Sequence, residues 1–276
     1  MSNLRLVSFN AANSAVLTAS TTAGTLIAAN LQTDIKSQVW RSVGTTAAIN
    51  AIWPTAKQIK CALLPQTNFT NTATMRVRGY TLSSDISAVF DTGVLPCCAF
   101  TSAAIFGWDN NPAGVANFGY GGAVYAGLWF TGASVQKIII DISDAGNAQG
   151  YVESSKLIAG DYWQPTINPN YGASIGYKDA SSHIRNEAGD LLTEIKPRAK
   201  VLSLSFGASP ESDRSKLMAL MRNNGLSTPI FISLFPEDAD KNKEQDHQIY
   251  GKLSQLSSIK IENFYSYSNS IDIEEI

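Results

Sequence analysis

Residues able to do chemistry are few in this chain and widely spaced. Histidine, the usual proton carrier near neutral pH, occurs twice. His183 lies in Ser181-Ser182-His183-Ile184-Arg185, and His247 closes the polar run Lys243-Glu244-Gln245-Asp246-His247. Neither has a serine elbow or a cysteine partner in its local context, so no acyl-transfer constellation is written there. The three cysteines are Cys61 and the vicinal pair Cys97-Cys98. With no histidine near them they lack zinc-site spacing, and an odd count with a strained vicinal pair reads as free, buried thiols. The glycine-rich Gly119-Tyr120-Gly121-Gly122 lacks the lysine that would reach a phosphate. Asp141, Asp144 and Glu153 flank one predicted turn and read as turn and solvated strand residues. The alternatives for them are a glycosidase carboxylate pair, or an oxygen-ligated calcium at Asp144 and Asn147. The expectation is a chain that is not an enzyme and carries no cofactor or metal.

Binding chemistry is concentrated in residues 106–132, where glycine and aromatics alternate almost without charge. Sugars are held by flat aromatic faces, with amides, carboxylates and hydroxyls taking the ring hydroxyls. Trp108, Asp109, Asn110, Asn111, Asn117, Tyr120, Tyr125 and Trp129 form a candidate set of that kind. The competing reading packs the same aromatics on the protein or on a neighbouring subunit. Trp40 and Trp53 sit among apolar strand residues and are expected in the core.

Composition bounds what must position these residues. The chain has 276 residues, 44% of them apolar, enough for a sizeable core, while only 16% are charged and the net charge is −2. That balance argues against nucleic acid or anionic lipid as a partner. No run approaches the length of a membrane helix, and the first residues do not form a signal peptide. Short strand-like runs bounded by turn residues fill the first two-thirds: 4–9, 39–43, 59–64, 73–80 and 88–91. Met75 to Tyr80 alternates, which buries one face and puts Arg76 and Arg78 together on the other. Residues 137–142 and 151–158 about the Asp144–Asn147 turn predict a hairpin. Two prolines in 160–170 mark a link. Beyond it, strands are expected at 174–177, 191–196, 200–206, 229–235, 249–253 and 259–267. A helix is expected to open at Ser209-Pro210-Glu211 and stop at Gly225, and 237–248 reads as a polar loop.

Several segments, taken as a set, carry a family likeness. They are Asn30-Leu31-Gln32 leading to Val39-Trp40-Arg41-Ser42, then Cys61-Ala62-Leu63-Leu64-Pro65-Gln66-Thr67-Asn68, Thr74-Met75-Arg76-Val77-Arg78-Gly79-Tyr80 and Val89-Phe90-Asp91-Thr92-Gly93. Later come Ile138-Ile139-Ile140-Asp141-Ile142, Asp144, Asn147, Gly150-Tyr151 and Leu157-Ile158-Ala159-Gly160. Together they resemble tail-associated proteins of bacteriophages and prophages, whose N-terminal part is a discoidin, or galactose-binding-like, jelly roll. A thinner likeness covers 198–236.

The resemblance implies a mainly β chain: a galactose-binding-like β-sandwich in residues 1–165, followed by a smaller α+β tail-assembly domain in 166–276. It implies a structural component of the distal tail or baseplate that aids host adsorption through its carbohydrate-binding-like domain. The implied partners are further copies in a symmetric ring, other tail proteins and cell-surface glycans. The implied location is the virion tail, after synthesis in the host cytoplasm. The alternative is a stand-alone, lectin-like carbohydrate-binding protein, and a third reading is a glycan-degrading tail enzyme.

Overall fold

The computed structural model describes residues 3–98 and 124–276. The chain is mainly β, as expected. Among the described residues ten strands precede residue 165: β1 (Arg5–Val7), β2 (Val16–Ala19), β3 (Trp40–Arg41), β4 (Thr46–Thr67), β5 (Thr74–Tyr80), β6 (Phe90–Asp91), β7 (Leu95–Pro96), β8 (Val124–Ser143), β9 (Glu153–Ser154) and β10 (Ile158–Gly160). Then follow β11 (Ser174–Asp179), β12 (Ser182–Arg185), β13 (Leu191–Glu194), β14 (Arg198–Ser209), α1 (Glu211–Asn224), β15 (Ile230–Ser233), α2 (Lys241–Asp246), β16 (Gln248–Leu253), β17 (Lys260–Asn263) and β18 (Ser266–Glu275). They form two compact units: residues up to 98 with 124–165 and 230–248, and residues 166–229 with 249–276.

The first unit is built on β4 and β8, which pair antiparallel along most of their length. The nine-stranded sheet runs β3-β9-β4-β8-β5-β6, with β2 and β10 added to β4 and β7 to β5. A 22-residue strand cannot stay regular. Register slips between Ile52 and Lys57, across Pro54, which has no N–H to give the ladder. Period-two alternation sends Ile49, Ala51, Trp53, Ile138, Ile140, Ile142, Met75 and Val77 inward, where they join Trp40, Leu31 and Phe69 in one core. Trp40 and Trp53 are fully buried as expected, their Nε1 groups donating to Thr21 O at 3.2 Å and Ala11 O at 2.8 Å. All three cysteines are free and buried.

Three sequence expectations for this unit are corrected. The hairpin about Asp144–Asn147 does not form, because both edges of β8 are already taken, by β4 and β5. After the turn the chain crosses to β4, which β9 and β10 join. Residues 124–132, expected as loop or contact surface, are the first half of β8. The supposed polar loop 237–248 contains α2, capped by the Asp240 carboxylate accepting from Asn242 N and Lys243 N.

In the second unit β11-β14-β18 form a sheet, with β16 and β17 also on β18. β12 and β13 make a separate hairpin. Helix α1 starts one residue later than expected, with Pro210 in the N-cap position and no side chain capping it, and ends at Gly225 with φ +53°. It buries Leu217 and Leu220, and also Asp213, whose carboxylate accepts from Thr166 N at 2.8 Å.

Candidate functional site

Of the candidate sugar-binding set, Trp108, Asp109, Asn110, Asn111, Asn117 and Tyr120 lie outside the described residues. Tyr125 and Trp129 are both on β8, four residues apart, and both are buried. Trp129 Nε1 donates to Glu244 Oε1 at 3.1 Å, its ring meets Tyr162 edge-on at 5.3 Å, and the Arg5 guanidinium lies 5.2 Å from its centroid. Tyr125 donates its backbone N–H to Gln245 Oε1 and sets its ring against Phe231. Neither ring has a face open to a sugar. They anchor 230–248 to the first sheet, so the competing packed reading describes these two.

The acid–base candidates do not converge. His183 pairs with Thr193 across β12–β13, and His247 caps α2 with Nδ1 2.8 Å from Lys243 O. Asp144 is fully buried and saturated by donors: Thr70 N and Oγ1, Thr72 Oγ1 and Asn147 Nδ2. A carboxylate so engaged is a turn clamp, and its partners are donors, whereas calcium requires oxygen acceptors around it. Glu153 is paired with Arg41 at 2.7 Å. Among the described residues no three His, Cys, Asp or Glu side chains are placed to share a metal.

What the fold does build is a groove on the β4–β8–β5 sheet. Register puts Thr46, Ser143 and Thr74 in one row, Ala48, Asp141 and Arg76 in the next, and Asn50, Ile139 and Arg78 in a third. These are the outward positions of strands whose inward positions form the core. Ser20 and Thr21 border the rows beyond β2, and Val94 beyond β6. The groove encloses about 520 Å³, the size of a small-ligand site.

Its charges cancel internally. Arg76 binds Asp91, with Nε to Oδ1 at 2.9 Å, and Arg78 Nη2 reaches both oxygens of Asp141 at 3.0 and 2.7 Å. The Arg76 hydrogen bond, helped by the Gly93 N–H, holds the Asp91 carboxyl down at about 2. Polar capacity is left over. Thr21 Oγ1 in the lining is buried with no partner among the described residues, as are Asn50 Oδ1 and Arg78 Nε in the row next to it. The Thr46 and Ser143 hydroxyls stand in the groove wall. Hydroxyls both donate and accept, Arg76 donates and Asp141 accepts, so the lining matches a neutral polyhydroxylated ligand. No histidine or cysteine lines it. The Arg76 and Arg78 pair was visible in the sequence. The Thr46, Ser143 and Asp141 partners were not, because they meet only through pairing of distant strands.

No family model matches this chain, and no curated protein matches it. The solved structures it is similar to include carbohydrate-binding modules. CpGH89CBM32-5 from Clostridium perfringens, solved with GalNAc-β-1,3-galactose, is 8% identical and covers 55% of this chain and 100% of its own, with a TM-score of 0.38. A fucose-binding module of Streptococcus pneumoniae is 11% identical, covering 56% and 99%, with a TM-score of 0.37. The lectin domain of Lectinolysin with Lewis b is 9% identical, covering 55% and 94%, with a TM-score of 0.36. Likenesses this distant carry no argument about ligand or site.

Proposed function

We propose that this chain is a non-catalytic carbohydrate-binding module whose sugar lies in the groove over Thr46, Thr74, Arg76, Asp141 and Ser143. The observation that carries the reading is the polar part of the groove lining: hydroxyls, one guanidinium and one carboxylate with their charges paired off, set beside apolar Ala48, Met75 and Val94, with Thr21 Oγ1 buried and without a partner among the described residues. A sugar ring supplies alternating donors and acceptors to such a wall, whereas an apolar ligand would leave those groups unmet. A place in a phage tail, within a symmetric ring, rests on the sequence resemblance alone and gains nothing from the fold.

The test is a titration calorimetry screen of neutral mono- and disaccharides against the full chain. A saccharide that binds should lose roughly tenfold in affinity with Arg76→Ala and with Thr74→Val. Arg76 is partly exposed, so a preserved far-ultraviolet spectrum separates lost binding from lost fold. Absence of binding to every sugar in the screen, or full affinity in both variants, overturns the proposal.

A further inference from the structure

The second unit carries an open strand edge. Among the described residues β12 and β13 form a sheet of their own, joined through a turn at Gly189, whose φ is +89°. Every residue of β13 is exposed, and so is the run that follows it as far as Arg198. Leu191 and Leu192 are more than half open to solvent, and Ile195 is 86% exposed. An open edge flanked by apolar side chains is a template for another strand.

Hydrogen bonding fixes which main-chain groups face outward. Asn186 N–H donates to Asp190 O at 3.0 Å. Bonded and non-bonded pairs alternate along an antiparallel ladder. Ile184–Leu192 and Ser182–Glu194 are therefore bonded pairs, while Leu191, Thr193 and Ile195 turn their N–H and C=O groups to the open side. Lys196 N–H, donating back to Ser181 Oγ at 3.0 Å, keeps the same phase. The edge of β12 is less open, because Ser181 N–H is taken by Asp179 Oδ1 and both Ser181 and Ser182 are half-buried.

The run Asp190-Leu191-Leu192-Thr193-Glu194-Ile195-Lys196 complements itself when reversed. Laid antiparallel on a second copy about Thr193, the outward groups of Leu191 meet those of the partner's Ile195, and Thr193 meets Thr193. One face then packs the exposed Leu191 and Ile195 of both chains around the two threonines. On the other face each Asp190 stands opposite the partner's Lys196. Asp190 keeps its charge there, although Asn186 Nδ2 donates to it at 3.0 Å. Glu194 has its own Lys196 at 3.2 Å, faces the partner's Leu192 and meets the partner's carboxylates only diagonally, at longer range. Neighbouring registers lose this match. Centred on Leu192, the pairing sets Asp190 opposite Glu194. Centred on Glu194, it opposes two carboxylates and sets Pro197, which has no N–H, against Leu191.

We propose that the β13 edge is a homodimer interface, on which a second copy of this chain adds its own β13 antiparallel about Thr193. Such a pair closes on itself by a two-fold axis, unlike the symmetric ring that the resemblance implies. It stands independently of the sugar reading. The test is sedimentation equilibrium of the full chain across a concentration series. The expected result is a reversible rise from the mass of one chain to that of two. Thr193→Pro removes an outward N–H and no bond within the hairpin, so it should weaken the dimer about tenfold or more. Lys196→Glu sets an acid against Asp190, and Asp190→Lys sets a base against Lys196. Each variant alone should stay single where the parent is paired. An equimolar mixture of those two variants should pair again, since each supplies the charge that the other lacks, and that recovery shows both to be folded. A single-chain mass at the highest concentration, a parent dimer that Thr193→Pro leaves intact, or a mixture no more associated than its components overturns the assignment.

Discussion

Lys156 shows how a single side chain can organise the first unit. Its ammonium is buried and makes three hydrogen bonds, to Asn13 Oδ1 at 2.9 Å, Gln32 O at 3.0 Å and Asp34 Oδ1 at 2.8 Å. Three donors meet three acceptors, which offsets the cost of burying the charge. Lys156→Met keeps the stem and removes all three bonds, so urea unfolding should show a loss of about 1–3 kcal/mol. A variant as stable as the parent would show the ion site to be dispensable.

Acid should act at Asp91. Its carboxyl is held down at about 2, first by the Arg76 hydrogen bond and then by the Gly93 N–H. A carboxyl with a depressed folded-state value stabilises the fold above its unfolded value, and that contribution fades as pH falls through the folded one. The expected window therefore runs from about pH 4 down to about pH 2. Asp91→Asn should remove that part of the acid response, read as the chemical shift and stability profile over the same window. Sugar affinity in the neighbouring groove should stay flat above about pH 4. At this scale the sequence was informative wherever burial follows from residue type and strand period. Trp40, Trp53, the free cysteines and the shared face of Arg76 and Arg78 were all legible. Trp129 was not, since an aromatic among glycines reads the same whether it stacks on a ligand or on the core.

Among the elements, β8 carries the most consequence. It is flanked by β4 and β5, and its first half brings Tyr125 and Trp129 against 230–248. Trp129→Phe keeps the ring packing but leaves Glu244 without one of its donors. It should cost about 1–3 kcal/mol on unfolding and leave groove affinity within about twofold. A large loss of sugar binding with unchanged stability would return Trp129 to the role of ligand platform. Gly132 on β8 packs against β4, and a Cβ there would land on the Ile59 carbonyl. Gly132→Ala should therefore cost more than about 3 kcal/mol or prevent folding, read from soluble yield and melting temperature.

The missed hairpin and the missed helix share a cause. Turn chemistry at Asp144–Asn147 was correctly legible, and the donors to Asp144 bear it out. Turn residues say that a chain reverses, not which strand it then joins, and that choice was made by the occupied edges of β8. In α2, the buried Glu244 and Gln245 look like loop residues because their partners, Trp129 and Tyr125, lie more than a hundred residues away. Only the Asp240 cap was a local signal.

At the scale of the molecule, the first unit is discontinuous: 230–248 belongs with the strands that precede 165. β15 pairs with β1 and buries Phe231 and Ile232. Residues 1–165 produced alone would lack those partners and expose the faces they cover. They should melt well below the full chain or fail to stay soluble, as differential scanning calorimetry would show, whereas an equal melting temperature would make 230–248 an accessory. The mainly β class was legible because alternation and turns recur throughout. The groove was not, since it is assembled from β4, β5 and β8 by register, a long-range property that no local window contains.

On the proposed reading, the outward face of β4, β5 and β8 receives a sugar. Amide NMR of the full chain, titrated with the tightest neutral saccharide from the calorimetric screen, reads that face directly. The expected result is that the largest shifts fall on Thr46, Ala48, Thr74, Arg76, Asp141 and Ser143 and saturate with one constant. Shifts that saturate elsewhere while these amides stay still would contradict it.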